Sequence, residues 1–142
     1  MQTQNFKNHS RMVPMFHYVT FLLLLAVLIG SIVNMCNCSC ENFCSASLTL
    51  VLSIACILIA WYARTFALRA QDRTIKAEEN FRYYVATGKQ LPTQLTISQI
   101  IALRFASDDE WQSLMQKAID ENLSSKQIKE SIKNWRGDYY RV

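Results

Sequence analysis

The stretch FCSASLTLVLSIACILIAWYARTFALRAQDRTIKAEENFRYYVATG, residues 43–88, decides the fold. Phe43 to Ala63 is a run of 21 residues without a charge, which as an α-helix rises about 30 Å and matches the hydrocarbon core of a bilayer. Trp61 and Tyr62 close the run as an interfacial pair would. Charges then enter, but neither Pro nor Gly interrupts the chain before Gly88. Asp72–Lys76 and Glu78–Arg82 are i,i+4 pairs in the order that supports a helix. Gly88 stands where a C′ glycine ends a helix, and Pro92 follows. The pattern predicts one continuous helix from about Cys44 to Thr87, roughly 65 Å long.

A seam of small residues runs along that helix. Ala46, Thr49, Ser53, Cys56, Ala60, Ala63, Ala67, Ala70, Thr74 and Ala77 are spaced alternately three and four apart, while only Ser47, Ala55 and Thr65 are small elsewhere in the same window. A period of about 3.5 residues belongs to left-handed supercoils, and small side chains let two backbones approach closely. In the same register Phe81 and Tyr84 follow, so the seam opens into bulkier packing. The expected occupant is a second copy or a partner helix. The rival occupants are the preceding apolar segment at 46–63, through Ala26-x-x-x-Gly30 and Ser31, and the chain's own tail at 67–77.

Working outward, Val13 to Val33 is a second uncharged run of 21 residues. Pro14 suits the first turn of a helix, and Phe16, His17 and Tyr18 suit a membrane interface. The run exceeds the apolar core of a signal peptide and lacks a small-x-small exit, so an uncleaved anchor is expected. Lys7 and Arg11 precede it, Arg64, Arg69 and Arg73 follow the second run, and the loop between carries only Glu41. The positive-inside rule therefore puts both termini in the cytoplasm. From Arg64 on, the chain holds 13 of 15 basic and 10 of 11 acidic residues. Signs so mixed do not suit nucleic acid but do suit a surface beside lipid head groups.

The tail shows three helix starts. Thr96-Ile-Ser-Gln99, Ser107-Asp-Asp-Glu110 and Ser124-Ser-Lys-Gln127 each have the form of a capping box. The apolar sets Ile97, Ile100, Ile101 and Phe105, then Trp111, Leu114, Met115, Ala118 and Ile119, then Ile128, Ile132 and Trp135 are amphipathic. A segment this short is marginal alone and is expected to dock on the extended helix or on a partner.

Chemistry-bearing patterns are few. Cys36, Cys38, Cys40 and Cys44 cluster in the loop; in an oxidising compartment they suit disulfides or carry no role, with bridges between protomers and soft-metal or redox work as the rivals. Cys56 reads first as a small seam residue. His9 and His17 are the only histidines, and the second span offers no facing ligand. Asp108, Asp109 and Glu110 fall in a helix first turn, where carboxylates complement the dipole. Arg69, Arg73, Arg82 and Arg104 are candidates to pair with Glu78 and Glu79. No Ser-His-Asp set, H-E-x-x-H, G-x-G-x-x-G or P-loop occurs, so neither an enzyme nor a cofactor or metal site is expected.

The stretches QNFKNHS (4–10), FALRAQDRTIKAEEN (66–80), LTISQIIALRFASDDE (95–110) and IKNWRGDYYRV (132–142) resemble an uncharacterised bacterial family that carries a domain-of-unknown-function label. The resemblance implies a small two-span inner-membrane protein and brings no activity; the loop cysteines are not part of it. The expected architecture is all-α: an arm at 1–12, transmembrane helices at 13–35 and 44–63 around a hairpin at 36–43, a cytoplasmic extension at 64–87 and a three-helix tail at 88–142. The expected function is a non-enzymatic scaffold or accessory subunit, in contact with membrane lipids and forming a homo-oligomer or part of a larger membrane complex. A small oligomeric pore is the second reading, disfavoured by spans without charge, and thiol or metal handling is the third.

Overall fold

The computed structural model describes residues 5–6 and 13–138. Apart from Asn5 and Phe6, the expected arm at 1–12, with Lys7, His9 and Arg11, lies outside the described residues. The described chain is all-α, without strands. Met15–Thr20 is wound as a π-helix and runs into α1, Phe21–Asn37. A 3₁₀ turn at Cys40–Asn42 leads to α2, Phe43–Thr87, a single helix of 45 residues. Three short helices follow: α3, Ile97–Leu103; α4, Asp108–Asp120; and α5, Ser125–Ser131. The chain divides into two units, Met12–Ala67 and Leu68–Val142 with Met1–Arg11, and α2 contributes to both.

In the first unit, α1 and the start of α2 form a hairpin. Both helices are long and apolar enough to cross a membrane. The hairpin closes on small groups: Ala46 is 1% exposed, and Ser31 and Ser53 are buried with their Oγ atoms 3.2 Å apart. Each serine also lies within hydrogen-bond reach of a carbonyl of its own helix, Leu28 or Leu50, so neither hydroxyl is stranded. The close-approach face expected on α1 is corrected in part. Ser31 belongs to it, but Ala26 and Gly30 are exposed, and a Cβ added at Gly30 would meet nothing within 4 Å. The face in use is Thr20, Leu24, Leu28, Ser31 and Met35, three and four apart, because the crossing selects one stripe and Ala26 and Gly30 lie off it.

The second unit is built around the tail. Gly88 ends α2 at φ +70°, a left-handed conformation that favours glycine, and its N–H donates to the Tyr84 carbonyl at 2.8 Å. Two of the three expected capping boxes form: Thr96 with Gln99 and Ser124 with Gln127. The third does not. Ser107 is the N-cap of α4 without a side-chain bond, because the Glu110 carboxylate accepts instead from the backbone N–H groups of Lys133 and Asn134, at 3.2 and 2.8 Å. That draws the segment after α5 back along residues 105–107, where Ala106 and Trp135 form an antiparallel bridge. The core comprises Ile100, Leu103, Phe105, Trp111, Leu114, Met115, Ala118 and Ile128 with their neighbours, and Tyr83 of α2 packs against it. Ile97, expected on the apolar face of α3, is 49% exposed; it occupies the first helical position, before the face has turned inward.

Candidate helix-packing surface and tail junction

The seam resolves into two lines. Ala46, Ser53, Ala60 and Ala67, seven apart, are buried or half-buried, and Thr74 is exposed. Thr49, Cys56, Ala63, Ala70 and Ala77, the alternate members, are all exposed. The hairpin uses the first line, completed by Leu50, Ile57 and Arg64, which are half-buried. The tail leaves the seam positions Ala70, Thr74 and Ala77 exposed. On α2 it engages Tyr83 and Arg82, and Ile75 and Glu79 are buried on that side. Phe81, Tyr84 and Val85 are exposed as well.

The junction between α2 and the tail centres on Arg82. Its Nε donates to Asp108 Oδ1 at 2.8 Å and Nη2 reaches the same oxygen. Nη2 also donates to the Ala106 carbonyl at 2.9 Å, and Nη1 pairs with Glu79 at 3.3 Å. The guanidinium lies 4.5 Å from the Trp111 ring centroid, within cation–π range. The expected pairs Asp72–Lys76 and Glu78–Arg82 are not among the ion pairs of the described residues; Arg82 turns toward the tail, where Glu79 and not Glu78 faces it. Glu79 is 6% exposed, and burial pushes its carboxyl above the usual value against the opposing attraction of Arg82, Arg136 and the Trp111 side chain. The Trp111 Nε1–H lies buried near that carboxylate without a hydrogen bond of normal geometry. Arg104, also offered as a partner for Glu78 or Glu79, pairs with Asp138 at 3.1 Å and stacks over Phe105.

Among the described residues, no group of three His, Cys, Asp or Glu side chains is placed to hold a metal ion. Cys36, Cys38, Cys40, Cys44 and Cys56 are free thiols. The Asp108–Glu110 carboxylates occupy the first turn of α4, two of them tied to Arg82 and to the backbone at 133–134. These arrangements pack and orient helices.

A family model described as a family of unknown function, DUF6526, matches residues 1–142. The chain belongs to this family. No curated protein and no solved structure matches it. In this DUF6526 chain, the stretches 66–80, 95–110 and 132–138, which carried most of the resemblance, meet at the tail junction. Residues 66–80 supply Ile75 and Glu79, residues 95–110 supply the core from Ile100 to Ala106 and the partners Asp108 and Glu110, and residues 132–138 supply the returning segment. The cysteine loop takes no part in that core. The sequence did not single out Arg82 as the hub, since its partners lie 24 and 26 residues away.

Proposed function

We propose that this DUF6526 protein is a non-enzymatic integral membrane protein of the bacterial inner membrane, with both termini cytoplasmic, that acts as a scaffold or accessory subunit through helix–helix association. A soluble core helix buries its apolar side chains; here only 6% and 11% of the most apolar windows of the two helices are buried within the chain, as a lipid-facing pair would require. The flank charges of Arg64, Arg69 and Arg73 against a loop carrying only Glu41 support the orientation. The observation that carries the association is the exposed line Thr49, Cys56 and Ala63. The hairpin has already packed, and a row of small residues at supercoil spacing is left over. In lipid, such rows let a second helix come close enough for dispersion contacts to hold it.

The test enlarges the leftover line and spares the hairpin line. Ala63→Leu, Ala70→Leu and Ala77→Leu keep the helix apolar and well formed, so insertion is expected to be unchanged. Overpacking costs about 1–3 kcal/mol per site. The triple variant should therefore weaken self-association by roughly 100-fold or more, read as a shift toward smaller species by light scattering in mild detergent. Ile54→Ala and Leu58→Ala, exposed positions on the opposite face, should leave the size unchanged. A wild-type protein that is monomeric under all these conditions counts against self-association.

A further inference from the structure

Between the π-helical turn and α2, the first unit holds an open groove of about 380 Å³, within the size range of ligand pockets. Its walls are apolar: Phe16, Phe21, Leu24, Ile57 and Trp61, with Ala60 as a floor that leaves the space unfilled. Ile57 and Arg64 are seven positions apart on α2, about 10 Å of rise, so the groove runs from the apolar part of the helix to its first charge. Arg64 stands at that end and, among the described residues, is the only Lys, Arg, Asp or Glu in the lining. Two polar atoms beside it bond back to their own segment. His17 Nδ1 lies 2.9 Å from the Val13 carbonyl, and the Thr20 hydroxyl donates to the Met15 carbonyl at 3.3 Å. The guanidinium stands 6.0 Å from the Phe16 centroid, at the edge of cation–π reach. Its five N–H donors let it serve a neighbour and an oxyanion together. The lining turn Met15–Thr20 is a π-helix, an uncommon winding frequent at functional sites.

We propose that this groove is a binding site for one anionic phospholipid, with the phosphate on Arg64 and an acyl chain along Leu24, Ile57 and Ala60. The argument is charge complementarity at one end and apolar lining over the rest. A zwitterionic lipid carries an ammonium as well as a phosphate, and none of the described residues that line the groove is a carboxylate to receive it. A soluble anion would gain nothing from the apolar walls. A basic site between helices at the cytoplasmic end of a span is the general form of a headgroup site. The proposal rests on the membrane reading above and adds to it a ligand and a residue that selects it.

The test uses the full chain reconstituted in vesicles of equimolar phosphatidylcholine and phosphatidylglycerol, extracted gently, with bound lipid counted by native mass spectrometry. Wild type is expected to retain phosphatidylglycerol over phosphatidylcholine by about fivefold or more, the preference of one well-placed basic side chain. Arg64→Gln should bring the two lipids to parity while the protein still floats with the vesicles, and Arg64→Lys should keep most of the preference. Ala60→Leu, which fills the floor, should lower retention of both. Equal retention by wild type, an unchanged preference in Arg64→Gln, or loss of the lipid on adding inorganic phosphate alone would overturn the proposal. Release of wild type from the vesicles by alkaline carbonate would overturn the membrane reading and this site with it. Retention through that wash without lipid preference would overturn the site only.

Discussion

Arg82→Ala is expected to loosen the tail from α2 at a cost of about 2–3 kcal/mol. The cost does not come mainly from Asp108, whose side chain is exposed and whose ion pair contributes little. It comes from leaving Glu79 buried without its nearest cation, from the unpaired Ala106 carbonyl, and from loss of the guanidinium stacked over Trp111. The sign of the pH dependence follows from the raised carboxyl of Glu79. Its contribution to stability is fully present below its unfolded value of about 4.5 and is lost as pH rises through the folded value. Removing Arg82 raises the folded value further, so the deficit of the variant should be small in acid and grow toward neutral pH. Thermal melting of the near-UV circular dichroism of the full chain in detergent, at about pH 5 and about pH 8, measures both. Adding Glu79→Gln to Arg82→Ala should recover part of the loss. A variant that melts with wild type at both pH values would remove Arg82 from the account.

Trp111→Ala should cost more, about 3–5 kcal/mol, and should unfold the tail outright. Trp111 is 2% exposed, meets Tyr83 edge-on at 5.8 Å between ring centroids and carries Arg82 on its face. It is the side chain through which α4, α2 and the guanidinium all touch. A segment of this length holds only a few kcal/mol in reserve, so the loss exceeds what the remaining core supplies. Limited trypsin digestion of the full chain should cut rapidly at Lys117, Lys126 and Lys129 in the variant and slowly in wild type, with the hairpin surviving in both. Trp111→Phe should cost about 1.5 kcal/mol or less, since a ring remains to pack on Tyr83 and under the Arg82 guanidinium. Equal digestion rates for Trp111→Ala and wild type would mean that the tail is not held by this core.

What could be read from the sequence follows the range of the interactions. The helix Phe43–Thr87 and its end at Gly88 depend on local composition and one backbone conformation, and both were legible. The caps at Thr96 and Ser124 depend on residues three apart, and they form as written. The cap at Ser107 has the same pattern and fails, because a backbone segment more than twenty residues away competes for Glu110. Arg82 chose Glu79 over Glu78 for a similar reason: the tail fixes where the guanidinium must go. The seam was legible as a period but not as a division of labour. Which of two alternating lines meets α1 depends on the crossing of two helices, and no single-helix pattern encodes that.

Cys56 offers the most direct measurement of the central claim, since it lies on the exposed line within the proposed span. Cys36→Ser, Cys38→Ser, Cys40→Ser and Cys44→Ser together leave it as the sole thiol. Copper–phenanthroline oxidation of native membranes carrying this variant should produce a disulfide-linked dimer. Moving the thiol to the opposite face, by Cys56→Ser with Leu58→Cys, should abolish the product. Association along Thr49, Cys56 and Ala63 predicts that contrast. Absence of a dimer at Cys56, or equal dimer from both positions, would contradict it.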